Sequence, residues 1–143
     1  MNREILFRGK STTTGEWVYG YYQEYPEGYV HIQNAWNDWF PVIPESVGQF
    51  TGIVDMNGVK IFEGDYIKLD DVVKRTFETH DGYVWYNHGT FFIHNNRCSM
   101  LDSLHTLVDF NYVMRGKVIG NIHDNPELLK LSSQEFGQKE SED

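Results

Sequence analysis

Short runs of alternating apolar and polar residues, broken by glycine, proline or asparagine, dominate this chain. That alternation is the signature of a strand with one face buried. From Glu4 to Arg8, Ile5 and Phe7 face one way and Glu4, Leu6 and Arg8 the other. From Glu16 to Tyr22, Trp17, Tyr19 and Tyr21 share one face, with Val18, Gly20 and Tyr22 opposite. The Thr-rich loop Ser11–Gly15 is short enough to join these two strands as a hairpin. Pro26-Glu27-Gly28 turns the chain again, and Tyr29–Gln33 is a third strand with Val30 and Ile32 pointing together. The pattern then becomes irregular over Asn34–Pro44, which carries Trp36, Trp39 and Phe40 between Pro41, Pro44 and polar residues. Proline cannot donate to a ladder, so this stretch is an edge or a loop.

The middle, Glu45–Leu69, alternates short apolar segments with two turn clusters. Asn57-Gly58, preceded by Asp55, predicts a two-residue hairpin with positive φ at both central positions. Glu63-Gly64-Asp65 predicts a second reversal, and Tyr66-Ile67-Lys68-Leu69 a strand after it. Asp70 and Asp71 suggest a metal or acid–base pair at first sight. Neighbours on a strand face opposite ways, so Asp70–Arg75 is taken as a solvated loop, with a strand continuing from Phe77 to His80. Asp81-Gly82 is a further hairpin signal. Tyr83–Tyr86, Asn87-His88-Gly89 and Thr90–His94 form a strand, a turn and a returning strand.

Met100, Leu101, Leu104, Leu107 and Val108 recur at helical spacing after candidate caps Ser99 and Asp102. An irregular strand is the alternative. Asn111–Arg115 and Lys117–Ile122 are strand candidates on either side of Gly116. Asn125-Pro126-Glu127 is a helix start, with Asn at the cap and Pro in the first turn. The polar, acidic residues from Ser132 onward form a frayed tail.

Together these elements predict a mainly β fold with minor α: small bent antiparallel sheets and a short C-terminal helix. The order from Phe62 to Ile93 is similar to SH3-like barrels, an analogy of fold alone. The expected organisation is an N-terminal β half (1–48), a small β-barrel half (49–130) forming one cooperative unit with it, and a flexible acidic tail (131–143).

Thr51, Gly52, Asp55, Asn57, Gly58, Ile61, Glu63, Gly64 and Asp65 spell TG-x-x-D-x-NG-x-x-I-x-EGD. This resembles the central motif of the YopX-like family, small proteins found mainly in bacteriophage and prophage genomes. REILFRGK (Arg3–Lys10) and TGEWVYG (Thr14–Gly20) look like the family's opening, and VIGNIHDNPELL (Val118–Leu129) its closing motif. The resemblance spans roughly residues 3 to 130. It implies a mainly β, self-associating protein, brings no established activity and supplies no catalytic residue.

Aromatics make up 15% of the 143 residues and suit half-buried pleated surfaces. No run approaches the roughly 18 apolar residues of a membrane helix. The charged start MNREILFRGK is not a secretory signal, so a cytoplasmic protein is expected, in the host cell if phage-encoded. The net charge is −9, which opposes phosphate-backbone binding overall.

Candidate chemistry is sparse. Of the six histidines (His31, His80, His88, His94, His105, His123), none forms HxH or HExxH, and no CxxC accompanies them. His88 and His94 are potential neighbours across one hairpin. Cys98 has no second cysteine to bond. No catalytic, cofactor or metal residue is assigned, and no enzyme is expected. The candidate interaction surface is Trp36, Trp39 and Phe40, which could plug a barrel end, form a subunit interface or stack on a ligand. The expected role is a self-associating interaction module contacting a host or phage protein. The alternative is nucleic-acid binding through Lys60, Lys68, Lys74 and Arg75, with Tyr66 stacking.

Overall fold

A computed structural model describes residues 4–94, 102–109, 111 and 113–128. The chain divides into two compact units, Met1–Gly52 and Ile53–Asp143. Cys98, Met100, Leu101 and the acidic tail lie outside the described residues. Two antiparallel sheets account for most of the fold.

In the first unit, β1 (Phe7–Lys10), β2 (Trp17–Glu24), β3 (Val30–Gln33) and β4 (Trp39–Pro41) form a meander. Their registers follow the alternation. Phe7 faces Gly20, Tyr22 faces Ile32, and Ile32 faces Phe40. Those residues share the face that buries Val30, Ile32 and Val42, with Phe7, Val18 and Val47 packed around them. Ser11 fastens the first loop: its hydroxyl accepts the N–H groups of Thr13 and Thr14, each at 3.2 Å. β5 (Gly48–Val54) pairs with β1 through Phe7–Gln49 and Arg8–Gly48. With β6 (Lys60–Phe62), the sheet order is β4-β3-β2-β1-β5-β6.

The second unit holds the larger core: Ile53, Ile61, Ile67, Leu69, Val73, Val84, Ile93, Leu104, Leu107 and Met114. Around it run β7 (Asp65–Leu69), α1 (Asp71–Phe77), β8 (Gly82–Asn87), β9 (Thr90–His94), β10 (Asp102–Ser103) and β11 (Gly116–Asn121). The strand order is β10-β9-β8-β7-β11. The sheet is open, with no pairing between β10 and β11 among the described residues, so the SH3-like barrel is not found.

Four local expectations need correction. Asn57-Gly58 is not a two-residue turn. Only Gly58 has positive φ, at 79°, while Asn57 does not. The loop runs from Asp55 to Val59, whose backbone groups bond at 2.8 Å. Asp70–Arg75 is not a loop, nor does Phe77 continue a strand. Asp70 caps α1, accepting the Val72 N–H at 2.8 Å, and Glu78 ends it in the left-handed region at φ 51°. Asp81-Gly82 is no hairpin: Gly82 opens β8, which returns antiparallel to β7 across the helix. Finally, the Met100–Val108 periodicity ends in β10 and a single 3-10 turn, Leu104–Leu107, that buries both leucines.

Other signals match. His88 and Gly89, both at positive φ, make the tight β8–β9 turn. Asn125 accepts the Leu128 N–H at 3.0 Å through its backbone carbonyl, and Glu127 and Leu128 begin the expected helix, whose remainder lies outside the described residues.

Candidate interaction surface

β2 places Trp17, Tyr19 and Tyr21 on the face of the first sheet opposite its core. Register adds Lys10 beside Trp17, Arg8 beside Tyr19, Gln33 beside Tyr21 and Trp39 beyond Gln33. Tyr19 is 46% exposed, Tyr21 67% and Trp39 45%. The Arg8 guanidinium lies 4.5 Å from the Trp17 ring centre and the Lys10 ammonium 5.7 Å. Cations held over an aromatic face are attracted by its quadrupole, so both stand against the indole.

The β3–β4 loop presents Trp36 at its tip, 81% exposed. Asn34 fixes that loop. Its side-chain oxygen accepts the N–H groups of Trp36 and Asp38, both at 2.9 Å, and Asn37 takes positive φ to close the turn. An apolar ring is therefore held in water by a pinned backbone. That excludes the barrel-plug use for Trp36 and Trp39. Phe40 separates from them: it shares the core-side face with Ile32. The sequence identified the Trp36–Trp39 pair but missed Tyr19 and Tyr21 as surface partners. Their alternation with Trp17 was visible; which face stayed open was not.

The central motif is structural. Asp55, 1% exposed, accepts the N–H groups of Asn57 and Val59 on Oδ1 at 2.8 and 2.9 Å, and of Val118 on Oδ2 at 2.9 Å. One carboxylate thus closes the β5–β6 loop and ties it to β11. Asp65 accepts the Phe62 N–H at 2.7 Å. Gly64 donates its N–H to Val84 and accepts from Ile122, joining the second reversal to two parts of the unit. The closing motif is likewise self-tied: the Asn121 side-chain oxygen accepts from His123 and Asp124 at 3.0 and 2.8 Å.

Among the described residues no group of three or more His, Cys, Asp and Glu side chains is placed to hold a metal ion. His88 sits in the β8–β9 turn, whereas His94 lies at the other end of that hairpin opposite Tyr83, so the two are not neighbours. Two members of the basic and aromatic set considered for nucleic acid are occupied within the fold. Tyr66 is 7% exposed and unavailable for stacking, and Lys74 is held 3.2 Å from Asp81. No helix among the described residues is long and apolar enough to cross a membrane.

Two tyrosines are perturbed. Burial raises the Tyr83 hydroxyl above its ordinary 10.0; its ring packs edge-on against His94 at 5.3 Å. Tyr22 is raised by burial first, then by its 3.0 Å hydrogen bond to Glu24.

These features define a two-unit antiparallel β protein with an aromatic sheet face on one unit and carboxylate-clamped turns in the other. A family model described as YopX protein matches residues 6–130, and the chain belongs to that family. No curated protein matches it.

Proposed function

We propose that this chain is a self-associating protein-interaction module, and that the open aromatic face of its N-terminal unit is the surface a second copy covers. The observation that carries this is the joint exposure of Tyr19, Tyr21, Trp36 and Trp39. Their exposed fractions leave roughly 400–600 Å² of aromatic surface in water. That is half or more of the about 800 Å² each partner contributes to a standard interface. Tyr and Trp are also the residues enriched at binding hot spots.

A two-fold interface uses the same patch on both copies, so one exposed aromatic face per chain is sufficient to build it. On this reading the protein is phage- or prophage-encoded and works in the host cytoplasm. A host or phage protein competing for the same face is the other outcome to watch for.

Light scattering over a range of concentrations tests the proposal. The apparent mass should climb above the 16.8 kDa of one chain as concentration rises. A mass fixed at one chain throughout contradicts self-association.

A further inference from the structure

The surface of the second unit carries an open cavity of about 470 Å³, wide to solvent, whose lining includes Met56, Lys68, Leu69, Val72 and Lys117. Lys68 on β7 and Lys117 on β11 are direct cross-strand partners. Both are exposed, and neither has an ion-pair partner among the described residues. Like charges directly opposite on a sheet are destabilising. In a chain with 21 acidic residues against 12 basic ones, two adjacent ammonium groups left without a carboxylate are an anion-receptive feature.

Two carboxylates also line the cavity, but both are engaged or turned to water. Asp70 caps α1 through Oδ1, and its Oδ2 lies 3.9 Å from Arg115. Asp71 has a 92% exposed side chain, 3.8 Å from Lys74. Neither supplies the lysines' counter-charge. Met56 and Val72, 57% and 50% exposed, and the buried Leu69 add an apolar wall. The volume falls within the roughly 300–1,000 Å³ of small-molecule sites.

We propose that this cavity binds a small organic phosphomonoester. The phosphate lies between the Lys68 and Lys117 ammonium groups and the apolar body rests on Met56 and Val72. A phosphate dianion matches two ammonium groups, each acting as a point charge with rotatable donors. A carboxylate supplies half that charge.

Titration followed by amide NMR, with phenyl phosphate, inorganic phosphate and benzoate as separate probes, tests the site. Phenyl phosphate should give saturable shifts at Met56, Lys68 and Lys117. It should bind about tenfold more tightly than either other probe, a difference of about 1.4 kcal/mol. Lys68→Gln and Lys117→Gln should each weaken binding by about tenfold, whereas Arg75→Gln, which removes the same charge from an exposed position on α1, should leave it unchanged. Both lysines are exposed, and removing either relieves repulsion, so neither variant should lower the melting temperature. Equal binding of all three probes, the absence of saturable shifts, or equal weakening in all three variants overturns the proposal.

Discussion

Asp55 shows how one buried carboxylate does the work of several contacts. Its oxygens accept three backbone N–H groups from two separate stretches of chain. An amide in its place keeps one acceptor and turns an NH2 donor toward a donor. Leaving such buried groups unsatisfied costs roughly 2–4 kcal/mol in total, so Asp55→Asn should lower unfolding free energy by about that much in urea titration. A loss under about 0.5 kcal/mol, typical of an indifferent surface position, contradicts the clamp. Tyr83 makes a second residue-scale prediction. Burial raises its pKa above 10.0, so the unfolded chain releases that proton first as pH rises. The resulting stabilisation is complete below pH 10.0 and is lost as pH climbs through the folded value. Melting temperature should therefore fall less steeply above pH 10.0 in Tyr83→Phe than in the parent protein. Identical slopes refute the assignment.

At the scale of elements, close approach explains what turn chemistry missed. A Cβ on Gly82 would lie 2.4 Å from the His94 carbonyl oxygen, so the glycine serves strand packing rather than a reversal. Gly82→Ala should force β8 and β9 apart and cost more than about 2 kcal/mol, measurable as a shifted urea midpoint. An unchanged midpoint contradicts the packing. The strands were legible because alternation survives in single stretches: Trp17-Tyr19-Tyr21 and Val30-Ile32 take the faces their spacing implies. The helix α1 was not legible. It has only seven residues, carries β-branched Val72, Val73 and Thr76, and buries Val73 alone, so its periodicity is too brief to register. The loop Asn34–Asp38 was recognisable as aromatic. Its rigidity depends on hydrogen bonds from one asparagine oxygen, which composition does not reveal. The Lys68–Lys117 pairing was equally hidden, because it depends on the register of strands 49 positions apart in sequence.

At the scale of the whole molecule, the central motif that marks the family and the residues proposed for binding are different sets. Asp55, Asn57, Gly58, Glu63 and Gly64 lie in turns of the second unit, Asp65 opens the strand after one of them, and the aromatic face is in the first unit. The central motif accordingly speaks to the turns that build the fold, and the proposed role stands on side chains those turns do not contain. Sedimentation equilibrium on the parent protein beside a Tyr21→Ser/Trp39→Ser variant tests that role most directly, since both side chains are exposed and their loss should leave the fold intact by circular dichroism. The parent should fit a mass above 16.8 kDa that rises with concentration, and the folded variant the mass of one chain. A parent that stays at one chain, or a variant that associates as strongly as the parent, contradicts the account.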